Sequence, residues 1–419
     1  MGFERLQSER TRHMSRSAIR EILKIATQPG MISLAGGIPA PASFPLNLIE
    51  GLCHRVMGKY GHEAFQYGLT EGFMPLRQAL ADLLCERAIH VAGETVLVSS
   101  GSQGVLDAIG KIMISPGDTV ALESPTYLGA LQAFHPYRPR YATLACDDGG
   151  LIPEALETVL VEKQVQFIYL VPTFQNPSGR TLSLDRRRTV ANLIQRHDVI
   201  LIEDDPYSDL RYEGRPLPSI KSMAPDHVVY IGTLSKVFAP GLRVGYCVAP
   251  KPIRDWLVLV KQGVDLHTST FNQALAAEYL IGGHLQKHLP TICELYHPRQ
   301  KAMLTALERY LPSGFRWSRP EGGMFVWVEG PAGSNMARLY RQAVDRKVAF
   351  VPGHFFFAES DAGLNTMRLN FTMVDRHAID HAIQILGGLM HANPGRCVPA
   401  ASGGGKGHQD ASRAGAQVF

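Results

Sequence analysis

The sequence predicts an α/β protein in which a doubly wound, mixed but mostly parallel sheet carries helices on both faces and is joined to a smaller α+β domain. From about residue 95 to residue 265, apolar strand-like runs alternate with stretches of helical periodicity, the arrangement that covers both faces of one sheet. Beyond residue 270 this alternation gives way to a long helical stretch, and then to short strands and two further helices. With 419 residues, 45% hydrophobic and 19% charged, the chain has the size and composition of a folded two-domain protein with a large core.

In chain order, the apolar runs place strands at Thr95–Ser99, Thr119–Glu123, Phe167–Val171, Val199–Glu203, Val228–Gly232 and Val244–Ala249. Helices lie between them, for example Leu184–His197, whose start carries Arg186-Arg187-Arg188 and is read as exposed. A helical stretch from Asn272 to about Leu311 contains Pro290 and Pro298, each expected to break or kink it. Strands at Gly323–Val328, Ala349–Val351 and Met367–Phe371 and helices at Asn335–Arg346 and Asp375–His391 complete the smaller domain. The expected division is an arm with part of the small domain over 1–47, a large domain over 48–285, and a small domain over 286–392. The tail 393–419, rich in Gly, Ala and Ser, is expected to be disordered.

The formal net charge of +4 is spread without a dense basic block, which gives a nucleic-acid or membrane-surface partner little electrostatic support. No apolar stretch approaches the roughly 18 residues of a membrane span. Residues 1–20 are charged and lack the apolar core of a secretory signal. The 6 cysteines show neither metal-ligand spacing nor a paired framework, which fits reduced thiols in a cytoplasmic protein that holds no metal.

Several segments carry chemistry. Lys236 lies in Gly232-Thr233-Leu234-Ser235-Lys236, and Arg243 follows in Pro240-Gly241-Leu242-Arg243. An amine that forms a Schiff base, close to a guanidinium that clamps a phosphate, is what pyridoxal phosphate requires, although a Ser-Lys pair is also an ordinary loop. Ser99-Ser100-Gly101-Ser102-Gln103 ends a strand and opens a helix, which makes either a phosphate cradle or a plain helix cap. Glu203-Asp204-Asp205-Pro206-Tyr207 ends another strand. A carboxylate there could keep a pyridine nitrogen protonated, and the tyrosine could donate to the phenolic oxygen; a surface acidic turn is the alternative. Asn176, in Gln175-Asn176-Pro177-Ser178-Gly179, could reach the same oxygen or merely make a turn. Tyr127 follows a strand end, where its ring could stack on a pyridine or fill the core. Arg368 alternates with apolar neighbours on a strand and needs an anionic partner, either a substrate carboxylate or a structural salt bridge.

Taken together and in this order, these segments resemble the class I/II aminotransferase family of fold-type-I pyridoxal-phosphate enzymes. Within it, the chain is most similar to the 2-aminoadipate and kynurenine aminotransferases and to the aminotransferase-like domains of MocR-type regulators. The resemblance runs from about Ser17 to Leu389. It implies that Lys236 binds pyridoxal phosphate covalently and then acts as general base. It further implies that Ser102, Gln103, Thr233, Ser235 and Arg243 bind the phosphate, Asp204 the ring nitrogen, and Asn176 and Tyr207 the phenolic oxygen. Tyr127 is implied as the stacking ring and Arg368 as the α-carboxylate anchor, with Asn176 also facing the substrate. Tyr67 matches a tyrosine that reaches the neighbouring subunit's phosphate, so a homodimer with shared sites is expected. Arg20, Gly36 and Gly37 fall on a segment that closes over the substrate in that subgroup. The implied reaction moves an amino group from a 2-aminoadipate-like, aromatic or branched-chain L-amino acid to 2-oxoglutarate or another 2-oxo acid. The same site could serve a lyase or decarboxylase. A regulator of the MocR type is disfavoured, because only about 30 residues precede Leu34 and a winged-helix domain needs more.

Overall fold

The computed structural model describes residues 3–14 and 18–392; the predicted disordered tail 393–419 and the side chain of Arg20 lie outside the described residues. A 7-stranded sheet runs in the order Val96–Ser99, Gly245–Val248, Val228–Thr233, Ile200–Asp205, Phe167–Leu170, Thr119–Glu123, Arg140–Leu144. Its pairings are parallel except at Gly245–Val248, which is antiparallel to both neighbours. All six predicted strands are present, with ends displaced by a residue or two, and most are buried along their whole length because helices cover both faces. The edge strand Arg140–Leu144 was not predicted: only Ala142 and Leu144 are buried in it, so it has no continuous apolar run to betray it.

A second, 4-stranded antiparallel sheet is ordered Arg316–Trp317, Phe325–Glu329, Thr366–Asn370, Val351–Pro352. The strand expected at Ala349–Val351 is two: Val351–Pro352 joins this sheet, while Val348–Ala349 pairs in parallel with Ile32–Ser33. That pairing ties the N-terminal segment to the second sheet and delivers Gly36 and Gly37 beside the carboxyl ends of the large sheet.

Two expectations need correction. The stretch 272–311 is interrupted at Gly282-Gly283, where Gly283 adopts a left-handed φ of +63°, and not at its prolines. Pro290 and Pro298 lie inside the 27-residue helix His284–Tyr310. Each removes a backbone donor, but a buried stripe from Leu285 through Ile292, Tyr296, Met303 and Leu307 holds the helix against the core. Second, Arg187 is not exposed. It shares a helical face with Val190, Ala191 and Ile194, is 1% accessible, and donates to the carbonyls of Leu182, Pro172 and Pro218 and to the Thr173 hydroxyl. Among the described residues no helix is long and apolar enough to cross a membrane.

Candidate active site

Parallel strands bring their carboxyl ends to one edge of a sheet, and the candidate residues collect there. Strand Val96–Ser99 leads through Gly101, at φ +89°, into helix Ser102–Met113, whose N-terminus no side chain caps. A Cβ on Gly101 would collide with the Arg243 guanidinium, so the glycine is what lets that cation lie across the helix start. Arg243, itself left-handed at φ +54°, donates to the Ser100 carbonyl at 3.2 Å. Thr233 Oγ1 donates to Ser235 Oγ at 2.9 Å and accepts from the Ser235 amide at 3.2 Å. Helix dipole, hydroxyls and guanidinium together suit a phosphate. Gln103 donates to the Gly129 carbonyl at 2.8 Å and accepts from the Tyr127 hydroxyl at 3.4 Å. The Tyr127 ring lies so close over Gly129 that no Cβ would fit between them.

Asp204 is the penultimate residue of Ile200–Asp205 and is buried. Its Oδ2 accepts from the Tyr169 hydroxyl at 2.8 Å, whereas Oδ1 is buried with no partner among the described residues. Burial pushes its carboxyl up to about 7, with Asp205 adding to the shift and Tyr169 and Lys236 opposing it. Lys236 donates to the Gly37 carbonyl at 3.0 Å. Its amine is pushed down to about 8, first by burial and then by Arg368 and Arg243. An amine with that value is partly neutral, and so nucleophilic, near neutral pH.

Arg368 lies on Thr366–Asn370 and is 1% accessible. It donates to Asn176 Oδ1 at 2.8 Å and to the Ala35 carbonyl at 2.7 Å, and its Nε has no partner among the described residues. Its guanidinium lies 4.2 Å from the Phe325 ring centroid and 5.0 Å from that of Phe356. Among the described residues no carboxylate pairs with it, so a structural salt bridge is not what holds this buried cation. Burial lowers its pKa to about 10, and an incoming carboxylate would relieve that cost. Asn176 donates through Nδ2 to the Tyr207 hydroxyl at 3.3 Å, which joins Tyr207 to the same cluster.

Two candidates from the N-terminal segment are also here. A Cβ on Gly37 would press on Phe325 at 3.1 Å, and one on Gly36 would meet Ile38 at 3.3 Å and Leu23 at 3.4 Å. Tyr67 is not in the cluster: it is 80% exposed, its ring edge-on to His267 at 5.8 Å. Sequence reasoning missed Tyr169, Phe325, Phe356 and the Ala35 carbonyl. Tyr169 lies in a uniformly apolar strand, and only strand register shows that it faces Asp204.

A group with an aldehyde, a cationic ring N–H and a phosphate fits this donor set: the Lys236 amine, the unpartnered Oδ1 of Asp204, and the cradle of Ser102, Gln103, Thr233, Ser235 and Arg243. The family model of class I and II aminotransferases matches residues 57–386. The chain belongs to this family. It is 44% identical over 393 residues to aromatic-amino-acid aminotransferase 1 of Thermococcus litoralis, covering 92% of this chain and 94% of that protein. The Pyrococcus horikoshii kynurenine aminotransferase, solved with PMP, superimposes with a TM-score of 0.89 at 43% identity, over 93% of this chain and 98% of that one. The alpha-aminoadipate aminotransferase LysN of Thermus thermophilus, solved with N-(5'-phosphopyridoxyl)-L-leucine, gives a TM-score of 0.87 at 38% identity over 94% and 99%. The chain is thus a pyridoxal-phosphate-dependent aminotransferase of fold type I.

In this aminotransferase a buried carboxyl braces the loop that carries Asn176. Glu123 Oε2 accepts the Val171 amide at 3.0 Å, and burial pushes the Glu123 carboxyl up to about 8 from an ordinary 4.5. The folded protein therefore retains a proton that the unfolded chain releases above about pH 4.5. This contribution to stability is fully present below that pH and is lost as the pH rises through 8. Glu123→Gln keeps an acceptor for Val171, and it is expected to flatten the fall in unfolding free energy between pH 5 and 8, by on the order of 3 kcal/mol at the alkaline end, as read from denaturation curves at each pH. A slope identical to the parent's would contradict this account.

Proposed function

We propose that the aminotransferase moves the amino group of an aromatic, 2-aminoadipate-like or branched-chain L-amino acid to 2-oxoglutarate or another 2-oxo acid. The observation that carries this reading is the pairing of a poised amine, Lys236, with a buried guanidinium, Arg368, that has no carboxylate partner among the described residues. Bound pyridoxal phosphate supplies the electron sink for the pair left at the donor's Cα when its proton departs. Lys236 would hold the cofactor and then carry that proton from Cα to the cofactor's C4′. Asp204 would face the ring nitrogen, Asn176 and Tyr207 the phenolic oxygen, and Tyr127 the ring face. Ser102, Gln103, Thr233, Ser235 and Arg243 would hold the phosphate. Arg368 and Asn176 hold the α-carboxylate, which favours amino transfer over decarboxylation, since decarboxylation must expel that group.

The names of the similar enzymes support the aromatic and 2-aminoadipate-like donors, and the phosphopyridoxyl-leucine bound to the Thermus thermophilus enzyme supports a branched-chain one. A homodimer is the proposed assembly, with Tyr67 reaching the partner's phosphate; the exposed Phe65, Tyr67 and Leu69 support an apolar contact there. The free cysteines support a cytoplasmic setting. The arm 1–47, the large unit 48–285 and the small unit 286–392 are the proposed divisions.

The test is the visible absorbance of the holoenzyme as amino acids are added singly without an oxo acid. Loss of the cofactor band that 2-oxoglutarate restores is expected for the true donors; ammonia and oxo acid released without an acceptor would indicate a lyase instead. Arg20 is assigned to the side chain or distal carboxylate of the substrate, while Gly36 and Gly37 let backbone approach the ligand. Arg20→Ala is expected to raise KM for dicarboxylic substrates about tenfold, the value of one charge-assisted hydrogen bond, and to leave small neutral amino acids unaffected. An equal rise for both classes would remove the role.

A further inference from the structure

Asp204 has one satisfied oxygen and one bare one, and the satisfied one is held from an adjacent strand. Tyr169 lies on Phe167–Leu170 in register with Ile202, so it is two residues short of Asp204 on the same sheet face. That diagonal is spanned by a long side chain, and the Tyr169 hydroxyl closes it at 2.8 Å. The Tyr169 ring is completely buried and packed edge-on against Phe134 at 6.0 Å, which leaves it little rotational freedom. Asp204 cannot then swing its carboxylate out of this orientation without giving up this bond and leaving the Tyr169 hydroxyl buried without its acceptor.

We propose that Tyr169 is a positioning residue of the amino transfer: by donating to Oδ2 of Asp204 it presents Oδ1 to the cofactor's ring nitrogen and keeps that carboxylate anionic. The inference rests on the assignment of Asp204 to the ring nitrogen. The groups that face Asp204 are Lys236 beyond the neighbouring strand, Asp205 next in chain, and Tyr127, Tyr207 and Tyr169. Burial and Asp205 favour the neutral acid, and Tyr169 and Lys236 oppose them. Of these groups, Tyr169 is the one hydrogen bonded to the carboxylate among the described residues, so it stabilises the charge directly, whereas Lys236 acts at a distance. Burial and Asp204 hold the Tyr169 phenol well above its ordinary value, so it stays a donor throughout the working range.

The test is Tyr169→Phe made in the parent enzyme and in Asp204→Asn, with both reconstituted with cofactor labelled at its ring nitrogen. Ring protonation is read by nitrogen NMR against pH, beside the single-turnover rate with a good donor. In the parent background the rate is expected to fall roughly 10- to 100-fold, as for other outer-shell partners, with ring deprotonation moved to lower pH and donor KM little changed. In the Asp204→Asn background the second substitution is expected to change neither readout. Equal losses in both backgrounds, or an unmoved ring titration, would show that Tyr169 only packs the core. A ring that remains protonated in Asp204→Asn would overturn the assignment of Asp204 itself, a separate and recognisable failure. If Tyr169→Phe does not fold, Tyr169→3-fluorotyrosine keeps shape and hydroxyl while changing its acidity; a ring titration identical to the parent's then overturns the proposal.

Discussion

Replacing Lys236 by methionine is expected to abolish amino transfer while making the apoenzyme more stable. The loss has two parts: the cofactor is no longer held covalently, and the proton at Cα loses its carrier. A positioned general base contributes up to about 10⁴-fold, and a fall of that order is expected in the single-turnover rate with any donor. The stability gain follows from the same burial that poises the amine. The Lys236 amine is pushed from 10.5 down to about 8, so the folded state binds its proton less firmly than the unfolded chain does. A depressed lysine pKa means that stability rises with pH between 8 and 10.5, and that the full cost is borne below 8. At pH 7 the methionine variant removes this cost, on the order of 2 kcal/mol after allowance for the lost bond to the Gly37 carbonyl. A rise of several degrees in the melting temperature of the apoenzyme is the measurement, and a fall would contradict the electrostatic account. Activity and stability pull in opposite directions at this position, as they commonly do where a site is strained or desolvated for function.

The second large effect is expected at Arg368. Lysine preserves the charge there but not the planar fork that meets a carboxylate with two parallel hydrogen bonds, and a flexible ammonium could not donate to both Asn176 and Ala35 as the guanidinium does. Arg368→Lys is expected to lower kcat/KM by roughly 10- to 10²-fold, since the fork loses one charge-assisted hydrogen bond, worth about 1.5–3 kcal/mol. The loss should be uniform across aromatic, aliphatic and acidic donors, because all present the same α-carboxylate. Amines that lack that carboxylate should be turned over no more slowly than by the parent enzyme. A loss confined to one class of donor would move Arg368 from the carboxylate to the side-chain pocket.

Much of the site was legible because its residues fall at punctuation in the chain. Asp204, Asn176, Ser102 and Lys236 each lie at or just past the end of an apolar run, where a doubly wound sheet must place its ligand, and each sits in a short segment of turn-forming residues. Arg368 stood out for a different reason, as a cation among apolar neighbours on a strand. The same reasoning failed where neighbours in space are not announced by neighbours in sequence. Arg187 looked exposed in a run of arginines, yet helical phase turns it into the core. Pro290 and Pro298 were expected to break or kink the helix, yet packing carries it unbroken past both. The edge strand Arg140–Leu144 is half polar and gave no signal at all.

The amino-acid sequence alone was sufficient for the layer architecture and for the types of group at the site, because apolar periodicity and turn residues are local properties of the chain. What only the tertiary structure decided is which of those groups are left wanting a partner. Among the described residues, Tyr169 takes one oxygen of Asp204 and leaves the other bare, the Gly37 carbonyl takes the Lys236 amine, and Phe325 and Phe356 enclose Arg368 with no carboxylate beside it. Desolvation and hydrogen-bond satisfaction depend on strand register and on contacts between residues far apart in the chain, and these set the pKa values that make the site reactive.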